Sequence, residues 1–232
     1  MTSTDLLING EYGGAADGRT FIRRNPLDGS VASEAAAASP ADAIRAADAA
    51  QAALPGWSAL GPNARRALLN KAADSLAAKA PELIAAMQAE IGATQAWPGI
   101  NIFLATGMIR EAAALTTQIN GTVIPSDKPG CIAMAIREPA GVVLGMAPWN
   151  APVILGVRAI ATPLACGNTV VFKVSEICPK THALIGQAFQ EAGLPPGVVN
   201  VVSNDAADAP AVVGALIAHP AVRRVNFTGS TR

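Results

Sequence analysis

The second half of this sequence predicts an α/β fold, a parallel sheet with helices on its faces, and two observations carry the prediction. Short apolar runs at 142–147 (VVLGMA), 169–174 and 198–202 recur at intervals, the first two reading as strands buried on both faces, and 223–228 follows as a fourth strand. Between them lie segments of helical length at 151–166, 180–192 and 210–218, the middle one ended by Gly193. Strands separated by helices of that length imply βαβ crossovers, and such crossovers join parallel neighbours. Size permits the fold: 232 residues, 51% hydrophobic and 15% charged, suffice for one large domain or two modest ones with a substantial core.

The first half follows another pattern. Leu6-Leu7-Ile8 leads into Asn9-Gly10, the preferred pair for a tight two-residue turn, so the chain opens on a hairpin. Ser39-Pro40-Ala41-Asp42 then starts a helix, with Ser as cap, Pro in the first helical position and Asp three residues after the cap. The Ala-rich run carries that helix to Leu54. Pro62-Asn63 begins a second helix that runs through Lys79, Pro81 opens a third, and a fourth spans Trp97 to Ile119 before Asn120-Gly121 ends it. Ile132, Met134 and Ile136 alternate with Ala133, Ala135 and Arg137, which predicts a strand with two distinct faces at 132–137. The chain thus divides into a helical part at 1–120, a strand segment at 121–140 and a strand–helix core at 141–232.

Composition excludes several classes of function. The formal net charge is zero and the pI is near 6.7, so no clustered basic surface is expected for a nucleic acid. The most apolar stretch, 141–157, is interrupted by Pro148, Asn150 and Pro152. A membrane span needs about 20 predominantly apolar residues, so no membrane partner is expected. The N-terminus lacks a basic region followed by an apolar one. Cys131, Cys166 and Cys178 show neither CxxC nor metal-ligand spacing, and an odd count fits a reducing, cytoplasmic setting with no metal site. All three cysteines are expected to act as small buried hydrophobes, and His182 and His219 to be structural.

A doubly wound, Rossmann-like sheet binds ligands beyond the C-terminal ends of its strands. Pro148-Trp149-Asn150 follows the first of those ends, Lys173 and Glu176 the second, and Gly229-Ser230-Thr231 the fourth. A strand running into Gly-Ser-Thr offers backbone N–H groups, a hydroxyl and close approach to phosphate; an ordinary helix cap has the same residues. An acidic residue at the position of Glu176 accepts hydrogen bonds from ribose hydroxyls and disfavours a 2′-phosphate; a surface Lys–Glu pair is the plainer alternative. G-x-G-x-x-G is missing after the first strand.

Longer motifs decide between these readings. PWN at 148–150, CGNTVVFKVSE at 166–176, EAGLPPGVVNVV at 191–202 and FTGST at 227–231 stand in one order, with INGE near the start and REPAGVV at 137–143. In order and spacing they resemble the N-terminal, cofactor-binding part of the aldehyde dehydrogenase superfamily across essentially the whole chain. The stretch PWNAPVILGVRAIATPLACGNTVVFK is most similar to the salicylaldehyde and vanillin branch. The resemblance implies NAD as cofactor and an aromatic aldehyde, oxidised to the acid, as substrate. It gives Asn150 the side-chain donor of the oxyanion hole, Lys173 and Glu176 the adenosine ribose, and Gly229 and Ser230 the pyrophosphate. Met146, Ala147, Pro148 and Trp149 would line the cofactor groove; Trp97, a core residue on helical spacing alone, would border the substrate pocket, as would Arg158, for which pairing with a carboxylate is the plainer alternative. It makes 132–137 an oligomerisation strand and the complete enzyme a homo-oligomer. Two departures stand out: Val174 replaces the usual Pro, and Ser203-Asn204-Asp205 replaces a Gly-rich segment. The nucleophilic Cys and the base Glu of the family lie beyond FTGST, so the chain is expected to be an N-terminal fragment, inactive alone. A non-catalytic nucleotide binder and an oligomerisation module are the alternatives, and sequence following Arg232 separates them.

Overall fold

The computed structural model describes residues 4–230. Its N-terminal hairpin pairs β1 (Leu6–Ile8) with β2 (Glu11–Gly13) through Asn9 and Gly10, whose φ of 54° and 78° are the left-handed values that the tight turn demands. Two strands that the sequence did not announce follow, β3 (Thr20–Arg24) and β4 (Val31–Ala36), an antiparallel pair in a sheet of their own. The Ala-rich half of β4 has poor strand propensity; burial of Ala35 and Ala36 in tertiary context sets its conformation.

Four helices come next. At the start of α1 (Pro40–Ser58) the predicted box is closed: the Asp42 N–H donates to Ser39 Oγ, and the Ser39 N–H donates to Asp42 Oδ2 at 2.9 Å. The helix runs four residues past Leu54, with Pro55 inside it. This extension seats Trp57, fully buried, whose Nε1 donates to the Leu164 carbonyl at 3.1 Å. Helices α2 (Pro62–Ala78) and α3 (Ala80–Ile91) start as the prolines predict. The fourth, α4 (Ala96–Leu115), stops short of Ile119, where the Thr116 hydroxyl donates to the Ala113 carbonyl at 2.8 Å.

The alternating segment forms β6 (Ala133–Ala135), paired antiparallel with β5 (Thr122–Ile124) as a separate two-stranded arm. Its apolar row is not a core face within these residues, since Ile132 is 79% exposed and Met134 and Ile136 are exposed with it. Gly121 must be glycine here, because a Cβ would stand 2.6 Å from the Ala135 carbonyl oxygen.

The remainder alternates as expected: β7 (Val142–Met146), α5 (Pro152–Ala165), β8 (Thr169–Lys173), α6 (Pro179–Glu191), β9 (Val199–Val202), a short 3-10 turn (Ala206–Asp208), α7 (Ala209–Ala218) and β10 (Val222–Phe227). The main sheet has the order β10-β7-β8-β9-β1-β2, with the first four strands parallel and the hairpin added antiparallel at one edge. Period-two alternation divides its side chains between two cores. Leu7, Val170, Phe172 and Val201 face the layer containing α2 to α6; Leu6, Val142, Leu144, Val171 and Val202 face α1 and α7. Chain order reverses between β7 and β10, which makes the carboxyl ends of these strands the topological switch point. Among the described residues no helix is long and apolar enough to cross a membrane.

Candidate functional site

Parallel pairing brings the strand ends level. Phe227 of β10 stands opposite Met146 of β7, Met146 opposite Lys173 of β8, and Lys173 opposite Val202 of β9. The three segments chosen from the sequence therefore leave the same edge of one sheet side by side. Gly229 and Ser230 follow β10, Ala147 to Asn150 follow β7, and Glu176 follows β8. Thr231 lies outside the described residues.

Beyond β7, Ala147 is buried in the core, Met146 and Pro148 are partly covered, and Trp149 is 47% exposed. Asn150 has its side chain exposed while its backbone is held: Trp97 Nε1, from α4, donates to the Asn150 carbonyl at 3.0 Å. Trp97 is held in turn by Asn101, whose amide donates to the Trp97 carbonyl at 3.1 Å and whose oxygen accepts weakly, at 3.5 Å, from the Ile154 N–H in the first turn of α5. Asn101 is fully buried. The helix that follows Asn150 is thus positioned by a polar residue that sequence reasoning passed over. Arg158, two turns into α5, donates to Thr228 Oγ1 at 2.7 Å and so ties the helix to the end of β10.

Beyond β8, the Lys173 side chain is only 10% exposed and lies 3.8 Å from the Glu176 carboxylate, itself about one-third exposed. That separation is an ion pair too long for a hydrogen bond, so the ammonium keeps donors to spare. Burial pushes the Lys173 amine below its ordinary range, opposed by Glu176. At Gly229 an added Cβ would overlap the Phe227 ring, so close approach of the backbone there depends on glycine.

Residues 14–232 match the aldehyde dehydrogenase family. The chain belongs to the aldehyde dehydrogenase family. Among its relatives, a vanillin dehydrogenase from a Pseudomonas species is 63% identical over all of this chain and 48% of the relative. The crystal structure of a salicylaldehyde dehydrogenase from Pseudomonas putida complexed with salicylaldehyde superimposes with a TM-score of 0.98 at 46% identity, over 100% of this chain and 48% of that one. An NAD-dependent benzaldehyde dehydrogenase from Corynebacterium glutamicum superimposes with a TM-score of 0.94 at 32% identity, over 100% of this chain and 51% of that one. The chain spans about half the length of the relatives it matches. The aldehyde dehydrogenase resemblance and its vanillin and salicylaldehyde branch hold.

Within this family member the cysteines divide. Cys178 is fully buried, as expected, and burial pushes its thiol well above the ordinary range. Cys166 is partly buried, its thiol also raised by burial. Cys131 is exposed in the β5–β6 connection, contrary to the buried role expected of it, because the arm places no core around it. One further buried polar group escaped the sequence reading, and a second, His182, is structural as expected. Glu90, at the end of α3, accepts from Ser33 Oγ at 2.6 Å, the Lys180 N–H at 2.8 Å, and both the N–H and hydroxyl of Thr181 at 2.9 and 2.7 Å. A carboxylate at the N-terminus of α6 satisfies donors that the helix itself leaves free. His182, in the first turn of α6, is fully buried against the loop between β8 and α6, which carries Glu176.

Proposed function

We propose that this chain supplies the dinucleotide-binding half of an NAD-dependent dehydrogenase that oxidises an aromatic aldehyde to the carboxylic acid. One observation supports this above the rest. Asn150, Lys173 with Glu176, and Gly229-Ser230 leave adjacent parallel strands at the switch point, level with one another. The donor set fits a dinucleotide. Lys173 has unspent donors and Glu176 has acceptors for a ribose diol, while Gly229 keeps the backbone open to a pyrophosphate. When bound, the nicotinamide supplies the hydride acceptor.

The residues of this chain then have separate tasks. Glu176 accepts from the ribose hydroxyls and disfavours a 2′-phosphate by charge. Ser230 and the backbone at Gly229 hold the pyrophosphate, and Met146 to Trp149 border the groove. The Asn150 amide donates to the aldehyde oxygen as negative charge builds on it during nucleophilic attack. Trp97 acts through Asn150 by holding its carbonyl, and with Arg158 borders the aromatic ring of the substrate. None of the three cysteines is assigned as the nucleophile: burial holds the thiols of Cys178 and partly buried Cys166 neutral, and exposed Cys131 sits on the arm. The exposed apolar row of that arm, Ile132, Met134 and Ile136, supports pairing between subunits of a homo-oligomer.

The test is a steady-state assay of the protein as its gene encodes it. Salicylaldehyde, vanillin, benzaldehyde and aliphatic aldehydes are supplied with NAD or NADP while absorbance of the reduced nicotinamide is followed. Turnover of the aromatic aldehydes with preference for NAD is expected. No aldehyde-dependent reduction of either cofactor would overturn the reading.

A further inference from the structure

The loop that carries Glu176 and the helix that follows Asn150 meet at one side chain. His182 projects from α6 and is fully buried. The Ser175 backbone N–H donates to its Nδ1 at 3.1 Å. A ring nitrogen that accepts from an amide carries no proton, so the imidazole is held as the neutral tautomer with its proton on Nε2. The Pro152 carbonyl, in the first turn of α5, lies within reach of the ring. Phe172 of β8 meets the imidazole with centroids 5.0 Å apart and planes tilted by 56°.

The helix approaches this ring through Gly156. A Cβ there would stand 2.6 Å from Ile185 Cδ1, 3.2 Å from Phe172 Cζ and 3.6 Å from His182 Cδ2. Glycine therefore lets α5 close onto the same group that secures Ser175. Cys178 Sγ fills the remaining side, 3.7–3.8 Å from the ring nitrogens. The imidazole thus borders the β8–α6 loop and α5, one carrying the ribose acceptor and the other following the oxyanion donor.

We propose that His182 is a positioning residue that fixes the Glu176 loop against the Asn150 helix and so sets dinucleotide affinity. The inference rests on the assignment of Glu176 to the ribose. The Ser175 N–H lies between Lys173 and Glu176 in sequence, so the bond to His182 fixes the backbone from which both side chains project. Loss of the acceptor leaves a buried donor unpaired, and the loop is expected to move to satisfy it.

Two substitutions separate the hydrogen bond from the volume. In His182→Asn, Oδ1 occupies about the place of Nδ1 and can accept from Ser175. In His182→Leu the space is filled without an acceptor. Binding of ADP-ribose and of NAD is measured by calorimetry on the protein as its gene encodes it, with circular dichroism as the check on folding. His182→Leu is expected to weaken both ligands about tenfold, the scale of one orphaned buried donor, while His182→Asn stays within about threefold. Hydrogen exchange at the Ser175 amide should quicken in His182→Leu alone. Unchanged affinity in His182→Leu, or equal weakening in both variants, overturns the positioning role. In the parent protein, nitrogen-15 spectra should show an unprotonated Nδ1 and a protonated Nε2 at neutral pH. The opposite tautomer overturns the proposal even where a variant fails to fold. Should the parent bind neither ADP-ribose nor NAD, the dinucleotide assignment itself fails and the role of His182 with it. Should it bind both and lose them in Glu176→Gln but not in His182→Leu, only the positioning role fails.

Discussion

Acid should destabilise this fold through His182 in a way that can be isolated from every other titration. Burial pushes the imidazole down to about 3 from an ordinary value of 6.5, with the nearby Lys173 charge acting in the same direction. The folded state therefore resists a proton that the unfolded chain takes up readily. A depressed folded value means that the contribution is fully present above the unfolded value and is lost as pH falls through the window from 6.5 toward 3. The full loss is about 5 kcal/mol, at about 1.4 kcal/mol per pH unit shifted. Most of the window lies below accessible pH, and at pH 5 the loss reaches about 2 kcal/mol. For a domain of about 150–250 residues that corresponds to a fall in Tm of about 4–8 °C. The groups bordering the ring include Lys173 from β8 and Cys178 at the start of α6, and the thiol stays neutral throughout. Glu90 carries the opposite sign. Its carboxyl is raised by burial, against the hydrogen bonds it accepts, so its contribution grows in acid and is lost as pH rises through its folded value. The assay is thermal unfolding of wild type and His182→Asn at half-unit steps from pH 8 to 5. Asn does not titrate, so the difference in Tm isolates the imidazole while Glu90 and the exposed carboxylates cancel. Wild type should lose about 4–8 °C more than the variant by pH 5. Parallel curves would refute the reasoning, because they require a His182 that protonates as easily folded as unfolded.

Four further outcomes follow from the same structure. In the protein as its gene encodes it, Glu176→Gln should erode discrimination between NAD and NADP, measured as the ratio of kcat/KM; equal efficiencies in the wild type would remove Glu176 from the ribose. Asn150→Ala should lower kcat about 100- to 1,000-fold, the scale of one oxyanion donor, with little change in NAD affinity; near-normal turnover under conditions where hydride transfer limits the rate contradicts the assignment. Glu90→Gln turns one acceptor oxygen into a donor facing backbone N–H groups, and should cost about 1–3 kcal/mol in urea unfolding; an unchanged midpoint would mean that Glu90 does not cap α6. The polypeptide 1–232 made by itself should self-associate, because Val225 and Phe227 on edge strand β10 and the apolar row of the arm are exposed; a monomer in sedimentation that stays soluble at high concentration argues against this.

The parts of the fold that were legible in the sequence are those whose signal is local. Asn9-Gly10 specifies its turn by the φ values that only such residues adopt cheaply, and Ser39 with Asp42 closes its box within three positions. The apolar runs of β7, β8 and β9 are buried on both faces, so their hydrophobicity alone reports their place. What failed depended on distance. β1 pairs with β9 across nearly the whole chain, and nothing in Leu6-Leu7-Ile8 names that partner. β4 is a strand because its alanines are enclosed, a property of neighbours rather than of alanine. In the segment 132–137 the alternation was read correctly as a strand, yet its apolar row stays exposed, because hydrophobicity reports a surface that prefers to be covered and does not say by what.

The candidate site divides along the same line. Asn150, Lys173, Glu176, Gly229 and Ser230 could be nominated because each follows a recognisable strand, and topology alone then places them together. Asn101 and Glu90 could not, since a polar side chain inside a helix is read as exposed unless its partner is known, and for His182 the sequence supports a structural role without naming the loop it holds. Glu90 finds its partners 57 residues back and 90–91 residues ahead. Asn101 reaches α5 across 53 positions. Their common feature is visible only in three dimensions: each satisfies backbone donors or acceptors at a helix end or loop that the site uses. Asn101 serves the start of α5, Glu90 the start of α6, and His182 the loop between β8 and α6. Strand ends choose which residues face a ligand, and these buried polar groups fix the backbone from which those residues project. A substitution at one of them should therefore alter binding geometry without touching a ligand, which separates this second set from the first by experiment: its members change affinity and stability together, whereas Asn150→Ala changes turnover alone.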